Sequence, residues 1–138
     1  MKVDSFLTRL KSTKHYAGQI VHAEKLPERK ARFGMLTPAL PERIKQILSK
    51  EGIEKLYTHQ VQSIDNVRKG NDVVVVTGTA SGKTICYNAP VLEKILKEPD
   101  ACALYLYPTK ALAQDQLRTL HRYQNADPSL PLRTGFVL

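Results

Sequence analysis

A lysine and a threonine at consecutive positions, Lys83 and Thr84, close an eight-residue run of small and hydroxylated residues, TGTASGKT, that begins at Thr77. Glycines at 78 and 82 let a backbone turn tightly and aim successive N–H groups inward, which makes an anion nest. An ammonium and a hydroxyl delivered at the end of such a turn suit a polyphosphate: Lys83 can reach the β- and γ-phosphates, and the Thr84 hydroxyl can hold Mg2+. These residues point to ATP and Mg2+ as ligands. Gly78, Thr79, Ala80, Ser81, Gly82, Lys83 and Thr84 are the expected nucleotide-binding stretch, Lys83 and Thr84 its catalytic pair, and Thr84 the metal ligand. The general pattern G-x-x-x-x-G-K-[ST] has Thr77 in place of its first glycine. The hydroxyls of Thr79 and Ser81 suit either a ligand contact or ordinary turn chemistry.

A phosphate nest works where a core strand hands over to a helix, because the helix N-terminus adds a positive dipole end. Val73 to Val76 is an uninterrupted β-branched run, suited to a strand buried on both faces of a parallel sheet. A helix is predicted from Lys83 to Lys97, with Ile85, Val91, Leu92, Ile95 and Leu96 apolar and Pro90 imposing a kink or local break. Ala101 to Tyr107 reads as a second strand stopped by Pro108. Leu112 to Arg122 reads as a helix with Leu112, Leu117 and Leu120 as its apolar residues. Strand, helix, strand, helix with long connections predicts parallel βαβ packing and a right-handed crossover.

Upstream, LPERIKQILSKEG predicts a helix opened by Pro41, carrying Ile44, Ile47 and Leu48 and ended by Gly52. Another begins at Thr58, expected as N-cap, and runs through Gln60, Val61, Ile64 and Val67 to Gly70. Residues 1–32 read as a basic N-terminal extension, with Phe6, Leu7 and Leu10 on one short helical face or else as a poorly ordered arm. Phe136 to Leu138 looks like the opening of a further strand.

The 138 residues fit one domain, and 42% apolar with 25% charged residues suits a packed core. No apolar run approaches the roughly 20 residues that span a bilayer, and the N-terminus lacks a signal-peptide pattern, so a cytoplasmic protein without membrane partners is expected. Cys86 and Cys102 lie in apolar-periodic segments and are expected as buried thiols. The net charge of +8 attracts polyanions, much of it from Lys2, Arg9, Lys11, Lys14, Lys25, Arg29, Lys30 and Arg32.

Three segments in order, LYTHQ at Leu56 to Gln60, TGTASGKT, and PTKALAQDQ at Pro108 to Gln116, resemble the Q-motif-like segment, motif I and motif Ia of superfamily 2 DEAD/DEAH-box helicases. With CYNAPVL after motif I, the wording is most similar to the DEXH-box subgroup of Hrq1/MrfA-like DNA helicases that carry a C-terminal DUF1998-type domain. The resemblance covers roughly residues 33 to 124. It implies a fold of the α/β class, a partial RecA-like P-loop NTPase domain with a parallel sheet and flanking helices. Residues 33–138 would be the N-terminal portion of the helicase ATP-binding domain. It also implies that Gln60 reads the adenine edge with Tyr57 beside the base. Pro108, Thr109 and Lys110 would contact the nucleic-acid backbone, with DNA as the expected polymer.

The resemblance further implies a D-E-x-[DH] sequence, a second motor domain and an arginine finger. None occurs here, since Asp72 precedes Val73, Asp115 precedes Gln116 and Asp127 precedes Pro128. The chain is therefore expected to be truncated before the DEXH motif and inactive as an ATPase alone, with the remainder of the motor downstream. The alternatives are a nucleotide-dependent nucleic-acid-binding module without catalysis, and an RNA helicase.

Overall fold

A computed structural model describes residues 3–24, 30–78 and 81–135. The chain divides into two compact units, Met1–Lys30 and Ala31–Leu138. In the first, α1 (Val3–Lys11) sets Phe6, Leu7 and Leu10 at helical spacing, and none of its residues is buried.

The second unit runs β1 (Phe33–Gly34), α2 (Glu42–Lys50), β2 (Leu56–Tyr57), α3 (Thr58–Arg68), α4 (Lys83–Lys97) and α5 (Lys110–Ala126). Helix α2 begins directly after Pro41, whose fixed φ prepares the first turn. Its chain leaves through Gly52 at φ 76°, a left-handed conformation that a β-carbon disfavours. Ile44, Ile47 and Leu48 are buried at the expected spacing. Thr58 is the first helical residue of α3 and Tyr57 its N-cap, one place earlier than expected. The Gln60 side chain does the capping, with Oε1 accepting from the Tyr57 N–H at 2.8 Å.

Helix α4 keeps its predicted bounds and passes Pro90 without a break. Proline has no N–H for the carbonyl four residues back, that of Cys86. The Ser63 hydroxyl on α3 donates to that carbonyl at 3.3 Å in a buried position and fills the gap. Five residues further along α3, Arg68 grips Glu93 of α4 through Nε at 3.0 Å and Nη2 at 2.6 Å. Helix α5 is longer than predicted at both ends. Thr119 and Tyr123 are its buried residues, while Leu112 is exposed. One core joins Ile44, Ile47, Ile64, Leu92, Tyr123 and Leu132.

The predicted parallel sheet is not what these residues form. Among the described residues the sheet is two-stranded and antiparallel, with Phe33 opposite Tyr57 and Gly34 opposite Leu56. Val73–Val76 and the 101–107 segment join no ladder. Val74 and Val76 are 88% and 89% exposed, and Leu104 and Leu106 are 84% and 83%. Val73, Val75, Tyr105 and Tyr107 are half-buried, so exposure alternates as on a strand covered on one face. A run of β-branched residues records a preference for extended backbone. It does not record whether another backbone lies within the roughly 4.8 Å that a ladder requires. For the same reason Cys102, expected inside, is exposed, whereas Cys86 is buried; both are free thiols. Phe136 to Leu138 lie outside the described residues. Among the described residues no helix is long and apolar enough to cross a membrane.

Candidate nucleotide and nucleic-acid site

The 77–84 turn leads into α4, as the glycine spacing predicts, with Gly82 at φ 73° before the first helical residue, Lys83. It is fastened from outside by the start of α3. The His59 Nε2–H donates to the Ser81 carbonyl at 3.0 Å, and Gln60 Nε2 donates to the Gly82 carbonyl at 2.9 Å. In a planar trans peptide the N–H points opposite the C=O. Pinning these two carbonyls toward α3 therefore turns the N–H groups of Gly82 and Lys83 away from it, as an anion nest needs. Within the turn, the Thr77 and Ser81 hydroxyls bond at 2.6 Å. Lys83 folds back so that Nζ donates to the carbonyls of Thr77 at 3.0 Å and Gly78 at 2.7 Å. A β-carbon at Gly82 would lie 2.6 Å from Gln60 Nε2, so any side chain there displaces that amide as well as straining a left-handed backbone. Thr79 and Ala80, expected in the same stretch, lie outside the described residues.

This donor set fits a nucleotide phosphate chain and its cation: two aimed amides, an ammonium folded over the turn and the half-buried Thr84. Beside it lies a hollow of about 350 Å3 lined by Phe33, Ile53, Lys55, Tyr57, Gln60 and Gly82. Gln60 is 2% exposed and spends half of its amide's four hydrogen-bonding sites on Tyr57 and Gly82. Tyr57 stacks on Phe33 at 5.2 Å and on His59 at 5.7 Å, giving a column of three nearly parallel rings. Neither Phe33 nor His59 was among the sequence-predicted site residues. Only the pairing of β1 with β2 brings Phe33 to Tyr57, and two-residue strands leave no periodic signal. A larger hollow of about 680 Å3, between the 101–107 segment and α5, contains no residue of the 77–84 turn.

Pro108, Thr109 and Lys110 are exposed at the start of α5. Thr109 is its N-cap, with Oγ1 accepting from the Leu112 N–H at 3.3 Å, which leaves the hydroxyl proton free to donate. Of the two glutamines that follow, Gln114 is exposed, whereas Gln116 accepts from the Tyr87 hydroxyl at 3.1 Å. Tyr87 thus links α4 to α5. Tyr105 lies edge-on to it at 5.8 Å and donates to Asn88 at 3.0 Å. Burial pushes the Tyr105 phenol above its ordinary range, so it stays protonated.

The DEAD/DEAH box helicase family model matches residues 57–135. The chain is 47% identical over 115 residues to the uncharacterized ATP-dependent helicase YprA of Bacillus subtilis, covering 83% of this chain and 15% of that protein. It is 34% identical over 128 residues to the ATP-dependent helicase HRQ1 of Saccharomyces cerevisiae, covering 93% of this chain and 12% of the relative. The crystal structure of the DUF1998 helicase MrfA bound to DNA and AMPPNP superposes with a TM-score of 0.75 at 41% identity, over 91% of this chain and 17% of that one. The chain thus spans about one-seventh of the length of these relatives.

Proposed function

Because the chain belongs to the DEAD/DEAH box helicase family, we propose that it is the ATP-binding and motif Ia portion of an ATP-dependent DNA helicase. The whole protein, in this reading, couples ATP binding and hydrolysis to translocation and strand separation. Residues 33–138 form the start of its motor domain, and residues 1–32 a basic extension that works in the cytoplasm with the rest. The observation that carries the reading is the bond of Gln60 to both Tyr57 and Gly82, which joins a base-side residue to the phosphate turn. MrfA holding DNA together with AMPPNP supports DNA as the polymer.

When bound, Mg2+-ATP supplies the phosphoanhydride whose cleavage drives the motor. The chain's own residues bind and orient it. The amides of Gly82 and Lys83 hold phosphate oxygens, Gly78, Thr79, Ala80 and Ser81 complete the nucleotide-binding stretch, and the Lys83 ammonium leaves two neutral carbonyls for charged oxygens, a stronger class of hydrogen bond. The Thr84 hydroxyl gives a lone pair to Mg2+. Gln60 turns its remaining N–H and lone pair to the adenine edge, with Tyr57 and Phe33 as the ring surface beside the base. At the start of α5, Pro108 ends the preceding segment. Thr109 donates its free hydroxyl proton to a DNA phosphate, and Lys110 adds charge; these contacts position the strand without reading its bases.

Lys83→Ala tests the assignment in the whole protein. Losing two charge-assisted hydrogen bonds of roughly 1.5 kcal/mol each weakens binding of a fluorescent ATP analogue by about a hundredfold. Unchanged affinity refutes it. ATPase assays with single-stranded DNA, duplex DNA and RNA then separate the polymers: stimulation by RNA alone overturns the DNA reading.

A further inference from the structure

We propose that the Tyr87 hydroxyl is a positioning group that couples the nucleotide side of the site to α5 through a directed hydrogen-bond chain from Thr84 to Gln116. The inference rests on the nucleotide and nucleic-acid roles proposed above and deepens them. Tyr87 stands one helical turn after Thr84, and its hydroxyl is aimed as a donor at both Gln116 Oε1, 3.1 Å away, and Thr84 Oγ1, 3.5 Å away.

Proton counting sets the direction. A phenol carries one proton for these two acceptors; the Gln116 carbonyl oxygen is the nearer and can only accept, whereas the Thr84 hydroxyl can also donate, so the Tyr87 proton goes to Gln116. The Tyr87 oxygen is then left as an acceptor with two lone pairs, one for its hydrogen bond with the Tyr107 hydroxyl and one for Thr84. Thr84 also has one proton, free to rotate as long as both its lone pairs are free. A cation held on one lone pair would orient the hydroxyl and polarise its O–H, with Tyr87 as the acceptor 3.5 Å away. Thr84 donates to Tyr87 and Tyr87 to Gln116, each bond strengthening the next. The first link stands at 3.5 Å, the longer of the two.

The far end is placed to matter. Gln116 lies just under two turns along α5 from Lys110, on the helix whose first residues carry the proposed strand contact. Closing the chain draws Gln116, and with it α5, toward α4. The Tyr87 ring is held in place by its edge contact with Tyr105.

The test is the nucleotide dependence of DNA affinity in the whole protein, read by anisotropy of a labelled single-stranded oligonucleotide with and without Mg2+-AMPPNP. Tyr87→Phe keeps the ring and removes the relay, and is expected to shrink the ratio of the two affinities by about fivefold. Gln116→Leu should do the same, the double variant should lose no more than either single one, and Gln116→Glu, which retains an acceptor, should restore the ratio. A wild-type ratio in Tyr87→Phe, or losses that add in the double variant, overturns the relay while leaving the functional reading intact. A Tyr87→Phe protein with a collapsed melting temperature assigns the residue to folding and overturns it too. A wild-type protein that binds no nucleotide removes the reading and the relay together.

Discussion

Gly82 carries two demands at once. Its φ of 73° lies where a side chain costs about 1–2 kcal/mol, and any β-carbon would press on the Gln60 amide at 2.6 Å. Gly82→Ala should therefore weaken binding of an ATP analogue by about tenfold, with the loss read by fluorescence titration, and an affinity within twofold of wild type would contradict it. Gln60 is an instructive residue for sequence reading. Its position in LYTHQ marks it for a ligand, and nothing in the spacing discloses that its amide also caps α3 and pins the turn before α4, 22 residues away. Those bonds depend on how α3 meets α4, which no local pattern encodes.

At the scale of elements, the helices were legible because apolar residues recur at helical spacing between proline and glycine boundaries, as with Ile44, Ile47 and Leu48. The sheet was not, because pairing is a property of two segments and Val73–Val76 describes only one. What the α3–α4 packing adds is the Arg68–Glu93 pair, whose side chains are 19% and 9% exposed. The bond to Glu93 holds the guanidinium even more firmly protonated than usual. Glu93→Ala leaves that charge half-enclosed and should cost about 3 kcal/mol in urea denaturation, whereas Arg68→Met with Glu93→Leu should recover most of it. Equal losses in the single and double variants would rule this account out.

Across the whole Ala31–Leu138 unit, chain ends far apart in sequence are tied by polar contacts around α2. Arg43 donates to Asp127 at 2.7 Å, Lys50 donates to the Ala126 carbonyl at 2.6 Å, and Arg122 pairs with Glu51 at 3.0 Å. Hydrogen bonds from Ser129, and then from Arg43, hold the Asp127 carboxyl below its ordinary range. A carboxylate whose folded value is depressed stabilises the protein above its unfolded value, and that contribution disappears as pH falls through the folded one. Asp127→Ala should accordingly melt lower at neutral pH and lose less on acidification than wild type. Parallel acid limbs in the two melting curves would count against the role. The same global view explains the two cysteines: burial raises the Cys86 thiol, so brief alkylation at neutral pH should label the exposed Cys102 and spare Cys86 until unfolding.

The hydroxyl that serves the helix at Pro90 ties two positions together over evolutionary drift. Ser63→Ala alone strands the buried Cys86 carbonyl, at about 1–3 kcal/mol, and selection would purge it. Pro90→Ala returns a main-chain N–H to that carbonyl, after which the serine is free to vary. Lineages should therefore lose the proline first and the hydroxyl second, and a descendant with alanine at 63 but proline at 90 should be missing.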